Sequence, residues 1–138
     1  VPVSKLVYLY LITTAVFFAI DFVWLSTATS RIYSPYIGDL LLERPNLPVA
    51  AAFYLFYVVG ILALAVVPAL QSGDVWGAVW RAAIFGALAY GTYDLTNLAT
   101  LKGWAWQVSL IDIVWGTALN SVVAAASYFA GVWLGMRG

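Results

Sequence analysis

Four long apolar stretches separated by short polar breaks organise the chain, at about 5–27, 48–68, 76–98 and 106–134. A membrane crossing needs ~20 mostly apolar residues, and each stretch reaches that length. The first break, 28–46, holds Arg31, Asp39, Glu43 and Arg44; within it 37–42 is apolar enough for a short interfacial helix. Pro45 and Pro48 punctuate the start of the second stretch and Pro68 closes it. Residues 71–75 and 99–105 read as tight turns, the second carrying Lys102 and Gly103. Short loops between long helices predict antiparallel neighbours. The pattern therefore predicts an all-α, integral membrane, up-down four-helix bundle, with 1–138 as a single transmembrane domain.

Composition agrees with that reading and narrows the chemistry. Hydrophobic residues make up 64% of the chain and charged residues 9%, against about 25% charged in an ordinary soluble domain. Six basic and six acidic residues cancel, which argues against a nucleic-acid partner. The chain has no cysteine and no histidine. Disulfides, thiol chemistry, haem ligation by histidine and His-dependent zinc or iron sites are thereby excluded. No cofactor and no dedicated metal site are expected. The first apolar stretch is too long for a cleavable signal peptide, so a span is expected there.

Trp76, Trp80, Trp104, Trp106 and Trp133 fall at span ends, where indole rings favour the headgroup layer. Small residues such as Gly60, Gly86, Gly116 and Gly131 recur within the spans and permit close helix packing in lipid. Orientation is weakly marked. Lys5, Arg81 and Arg137 on the terminal side balance Arg31, Arg44 and Lys102 on the other. Asp39 and Glu43 dilute the first loop and tip the expectation towards cytoplasmic termini.

Against this apolar background stand Asp21, Asp94 and Asp112, each inside a predicted span. A carboxylate there costs ~2.5–3.5 kcal/mol or more on insertion scales. Alternation of four spans puts all three near the same membrane face, roughly 6–10 Å below it at the rise of an α-helix. That convergence holds whichever way the bundle faces. Helical spacing then supplies partners. Tyr90, Asp94 and Asn97 form one stripe on the third helix; Asp112, Trp115, Gly116 and Asn120 form another on the fourth; Thr14, Phe17, Asp21 and Trp24 form a third on the first. Ile20-Asp-Phe-Val-Trp24 and Ile111-Asp-Ile-Val-Trp115 repeat one pattern, an Asp and a Trp one turn apart on each of two helices. Such a pair can line one cavity from two sides. Taken singly, each Asp also has a structural explanation: it can snorkel to the interface, cap a helix or pair with Lys102, Arg31 or Arg44. Asn120, alone at mid-membrane, suits an interhelical hydrogen bond. Arg81 is expected to snorkel to the opposite interface, and Tyr54, Tyr57 and Gly60 to pack within the bundle.

The runs Tyr93-Asp-Leu-Thr-Asn-Leu-Ala-Thr-Leu-Lys-Gly-Trp104 and Asp112-Ile-Val-Trp-Gly-Thr117, with Ala19-Ile-Asp-Phe-Val-Trp-Leu25 and Phe53-Tyr-Leu-Phe-Tyr-Val-Val-Gly60, carry a resemblance across nearly the whole chain. It resembles an uncharacterised family of small four-span bacterial membrane proteins known only as a domain of unknown function. The resemblance implies a bacterial inner (cytoplasmic) membrane location and four helices. It carries no assigned activity and no catalytic residue.

Three functions fit the residues. The first is binding or transport of a small apolar or cationic molecule, or a lipid. Asp21, Asp94 and Asp112 would be its polar groups, Trp24, Trp115, Tyr90 and Tyr93 its aromatic walls, and Asn97 and Asn120 further polar contacts. Carboxylates in a low-dielectric layer can exchange protons, as a proton-coupled carrier requires. A carrier this small is expected to form a homodimer. The second is an accessory subunit of a larger membrane complex, with the aspartates as interhelical glue. The third is a membrane-embedded enzyme acting on lipid, its carboxylates serving as acid and base or holding Mg²⁺ or Ca²⁺ near phosphate.

Overall fold

The computed structural model describes residues 2–136. Arg137, counted above for the terminal side, lies outside the described residues. The chain forms four long helices: the first Val3–Leu40, the second Leu47–Ser72, the third Val75–Thr100 and the fourth Trp106–Trp133. No strand occurs among the described residues. Each helix packs on its neighbour in the chain and the fourth closes back on the first, which makes the expected up-down bundle. The first, second and fourth helices are long and apolar enough to cross a membrane. The third, at 26 residues, matches the second in length but is more polar, and packs chiefly on the fourth. Large apolar side chains such as Phe22, Phe56, Leu88 and Phe129 point outward from every helix, as lipid contact demands.

Two boundaries differ from the sequence expectation, for one shared reason. The first helix does not stop near residue 27. It continues through a π turn at Thr29–Tyr33, a short α segment Ser34–Ile37 and a 3₁₀ turn Gly38–Leu40. The loop shrinks to 41–46, and much of the expected interfacial segment is helix end. Likewise Pro68 does not close the second helix, which passes through a π turn at Leu62–Val66 and runs on to Ser72. In both helices the π turn ends two residues before a proline, Pro35 or Pro68. A proline ring clashes with the carbonyl four residues back, here that of Arg31 or Leu64. Those carbonyls fall in the middle of the π turns. The wider turn makes room for the ring, and the helix survives its proline.

The remaining ends are conventional. Asn46 caps the second helix by accepting from the Val49 amide at 3.2 Å, and Asp74 caps the third by accepting from the Trp76 amide at 3.0 Å. Gly73, in the left-handed region, ends the second helix between them. The core is built from Leu9, Phe17, Val58, Ile61, Leu119 and Val123. The third and fourth helices approach closely because Gly86 and Gly116 carry no side chain. A Cβ on Gly86 would sit 2.7 Å from the Gly116 carbonyl oxygen, and one on Gly116 would run into the Tyr90 ring.

The two ends of the bundle differ. Near the termini, Leu62–Ser72 of the second helix lies against both the third and fourth helices. Towards the loops, its outer half packs on the first helix instead and leaves space beside the third. The functional groups surround that space.

Candidate functional site: an acidic, aromatic cleft

The first and fourth helices meet face to face at their repeated Asp-x-x-Trp patterns. The Trp24 and Trp115 indoles stack with ring centres 4.3 Å apart and planes 7° from parallel. Each indole serves the other helix's acid. Trp115 Nε1 donates to Asp21 Oδ1 at 3.3 Å. Trp24 Nε1 donates to the Tyr33 hydroxyl at 3.0 Å, and that hydroxyl donates to Asp112 Oδ1 at 2.7 Å. Tyr33 reaches this position because of the π turn. Ordinary helical steps from Trp24 and Ala28 would carry the same face to residue 31 or 32. The extra residue in the turn brings Tyr33, then Ile37, onto it, and both are buried against Val108. The Tyr54 hydroxyl of the second helix also reaches Asp21.

Asp94 sits behind this layer. It is fully buried, and its carboxyl faces that of Asp112. Neither of its carboxyl oxygens has a hydrogen-bond partner among the described residues. Its backbone carbonyl is better served, accepting from the Ser109 hydroxyl at 2.8 Å, which in turn accepts from Trp104 Nε1 at 2.9 Å. Among the described residues, no lysine or arginine is one of the groups acting on Asp21 or Asp94. Arg31, Arg44 and Lys102, the expected ion-pair partners, are all exposed.

A cleft of about 920 Å³ opens from this acidic layer between the second and third helices, a size that suits a drug-sized ligand. Asp21, Trp24, Asp112 and Trp115 form its polar end. Tyr54, Phe56, Val59 and Leu64 wall one side, and Ala89, Tyr90, Thr92 and Thr96 the other. Its floor is the Tyr57 ring stacked on Phe85, 5.0 Å between centres, with Phe85 seated against Gly60. Phe53, Phe56, Leu64 and Tyr93 at the rim are exposed on the lipid-facing surface, so the cleft opens sideways. On the far side of the stacked indoles a shallower apolar hollow is lined by Ala19, Ile20, Val23 and Thr27. The Trp24–Trp115 stack is the wall between the two.

A family described as "Predicted membrane protein (DUF2177)" matches residues 6–129. The chain belongs to this family. The matched region holds all three intramembrane aspartates and every residue of the cleft. It makes the protein a multi-pass membrane protein of a family whose activity is open. No curated protein and no solved structure matches the chain.

The structure sorts the residues singled out from sequence. Asp21, Trp24, Tyr90, Asp112 and Trp115 line the cleft. Asp94 does not, and meets it only through Asp112. Asn97 is turned towards Tyr93, one helical turn back, and lies outside the cleft. Asn120 lies beneath the floor, where Tyr57 donates to its Oδ1 at 3.0 Å and its Nδ2 donates to the Gly116 carbonyl at 2.6 Å. Tyr54, Tyr57 and Gly60, read as packing residues, are lining residues as well. Tyr33 escaped the sequence reading altogether. Its one signal was Pro35 two positions on, which hinted at a π turn. Among the described residues no group of three or more acidic, histidine or cysteine side chains is arranged to hold a metal ion. The three aspartates are therefore not arranged as a divalent-metal cage.

Proposed function

We propose that this protein, in a bacterial inner membrane, binds an amphiphilic molecule taken laterally from the bilayer. The polar head of the ligand rests against Asp21 and Asp112, and its apolar part lies along the cleft between the second and third helices. The supporting observation is the cleft itself: about 920 Å³, apolar along its length, open at the lipid-facing rim and acidic at its closed end. A polar pocket kept only for packing has no reason to open sideways into lipid. Binding is the part of a carrier's work that this geometry supports best.

The test is occupancy. Ala63 lines the cleft yet is exposed, so Ala63→Trp fills the space without entering the core. Native mass spectrometry of the wild-type protein purified in mild detergent is expected to show a retained amphiphile, and Ala63→Trp is expected to lose it. Equal retention by the two proteins, or none by either, would remove the cleft as a ligand site.

A further inference from the structure

Every other aspartate in the bundle's interior receives a hydrogen bond; Asp94 is left over. Its two carboxyl oxygens are buried, lack any partner among the described residues and face the Asp112 carboxyl. The elements packed around the pair supply hydroxyls and a further acid but no cation. Tyr33 and Asp21 come from the first helix, Tyr54 from the second, and Tyr90 and Tyr93 from the third. Two carboxylates facing each other inside a low-dielectric bundle repel strongly unless something positive accompanies them. A divalent cation wants six or more oxygens, and among the described residues no three acids, Asp21 included, are arranged as a cage. A proton needs only the two facing oxygens. Asp112 also opens onto the cleft, whereas Asp94 does not.

We propose that Asp94 and Asp112 hold one proton between them, and that the ligand of the cleft is a cationic amphiphile whose ammonium group replaces that proton beside Asp112. This rests on the reading of the cleft as a ligand site and narrows its ligand to a chemical class. As the cation arrives at Asp112, the shared proton leaves to water, so the net charge of the site is the same before and after. The walls suit an ammonium group, since Tyr54, Tyr90 and the Trp24–Trp115 stack bring aromatic rings to the cleft, and such rings attract one. Asp21, already served by Trp115 and Tyr54, adds negative potential without taking part in the exchange.

Dodecyltrimethylammonium, a permanent cation, and dodecanol, a neutral molecule with the same chain, separate the cases. Both are titrated by calorimetry into the wild-type protein in a neutral maltoside detergent, in two buffers of different ionisation enthalpy. The cation is expected to release about one proton per site, and its affinity to rise about tenfold per pH unit while the pair still holds its proton. Dodecanol should show neither effect. Asp94→Asn supplies the missing hydrogen from its amide, so the cation should bind this variant without proton release and without the pH slope. Asp112→Asn should weaken cation binding by about tenfold or more and leave dodecanol binding unchanged. The wild-type proton count needs no variant, so a misfolded mutant does not leave the proposal untested. Cation binding without proton release overturns the proposal, as does equal, pH-independent binding of both probes; in either case the cleft stands as a ligand site. Binding of neither probe, with no retained amphiphile in the wild type, overturns both readings.

Discussion

Buried polar groups among the described residues are of two opposite kinds. Beneath the cleft, Asn120 is fully buried, accepts from Tyr57 and donates to the Gly116 carbonyl. Nearer the termini, the Thr13 and Ser127 hydroxyls share a hydrogen bond of 2.6 Å. None of the polar atoms of Asn120, Thr13 or Ser127 is stranded. One layer towards the loops, Asp94 is equally buried, and both its carboxyl oxygens are stranded. An orphaned buried polar group carries a desolvation cost that a closed pair avoids. The contrast therefore separates polar groups that join helices from a buried carboxyl that no donor among the described residues serves. Burial alone does not distinguish them; the closing of the hydrogen bonds does.

Three substitutions test that contrast, read as shifts in unfolding free energy in mixed micelles. Gly116→Leu has the largest expected effect. Its side chain would collide with Tyr90 and force the third and fourth helices apart, at a cost of about 3 kcal/mol. Asn120→Leu keeps the branched outline with bulkier ends, breaks both hydrogen bonds and strands the Tyr57 hydroxyl, for a loss of about 1–2 kcal/mol. Asp94→Asn should have the smallest effect, within about 1 kcal/mol of wild type and in the stabilising direction. It removes a potential buried charge and lets an amide donate to Asp112. Should Asp94→Asn cost as much as Asn120→Leu, the two groups would be of one kind, and Asp94 would be interhelical glue.

Much of the fold was legible in the sequence. Four apolar stretches with short polar breaks leave few arrangements other than an up-down bundle, and the bundle is what forms. The layer of Asp21, Asp94 and Asp112 followed from the alternation of spans and the rise per residue alone. Tyr33 was hidden because a π turn shifts the helical face by one residue, and a period of 3.6 read across it points the wrong way. Pro68 looked like a terminus because the wider turn that accommodates it leaves no mark on hydropathy. The walls of the cleft were hidden for another reason. Phe56 facing a cleft and Phe22 facing plain lipid are equally apolar, and nothing along the chain says which helix will lean away from its neighbour.

The repeated Ile-Asp-x-Val-Trp pattern shows where the two kinds of information part. By itself the sequence determined that an Asp and a Trp lie one turn apart on the first and fourth helices, because that depends only on local geometry. The tertiary structure decided that each Trp serves the other helix's Asp, and that Tyr33 completes one of those links. It also decided that the buried Asp94 carboxyl, with no other partner among the described residues, faces that of Asp112. Those relations depend on how two antiparallel helices are rotated about their own axes. In lipid that rotation is set by which side chains close pack, here glycines beneath rings, rather than by any force that hydropathy records.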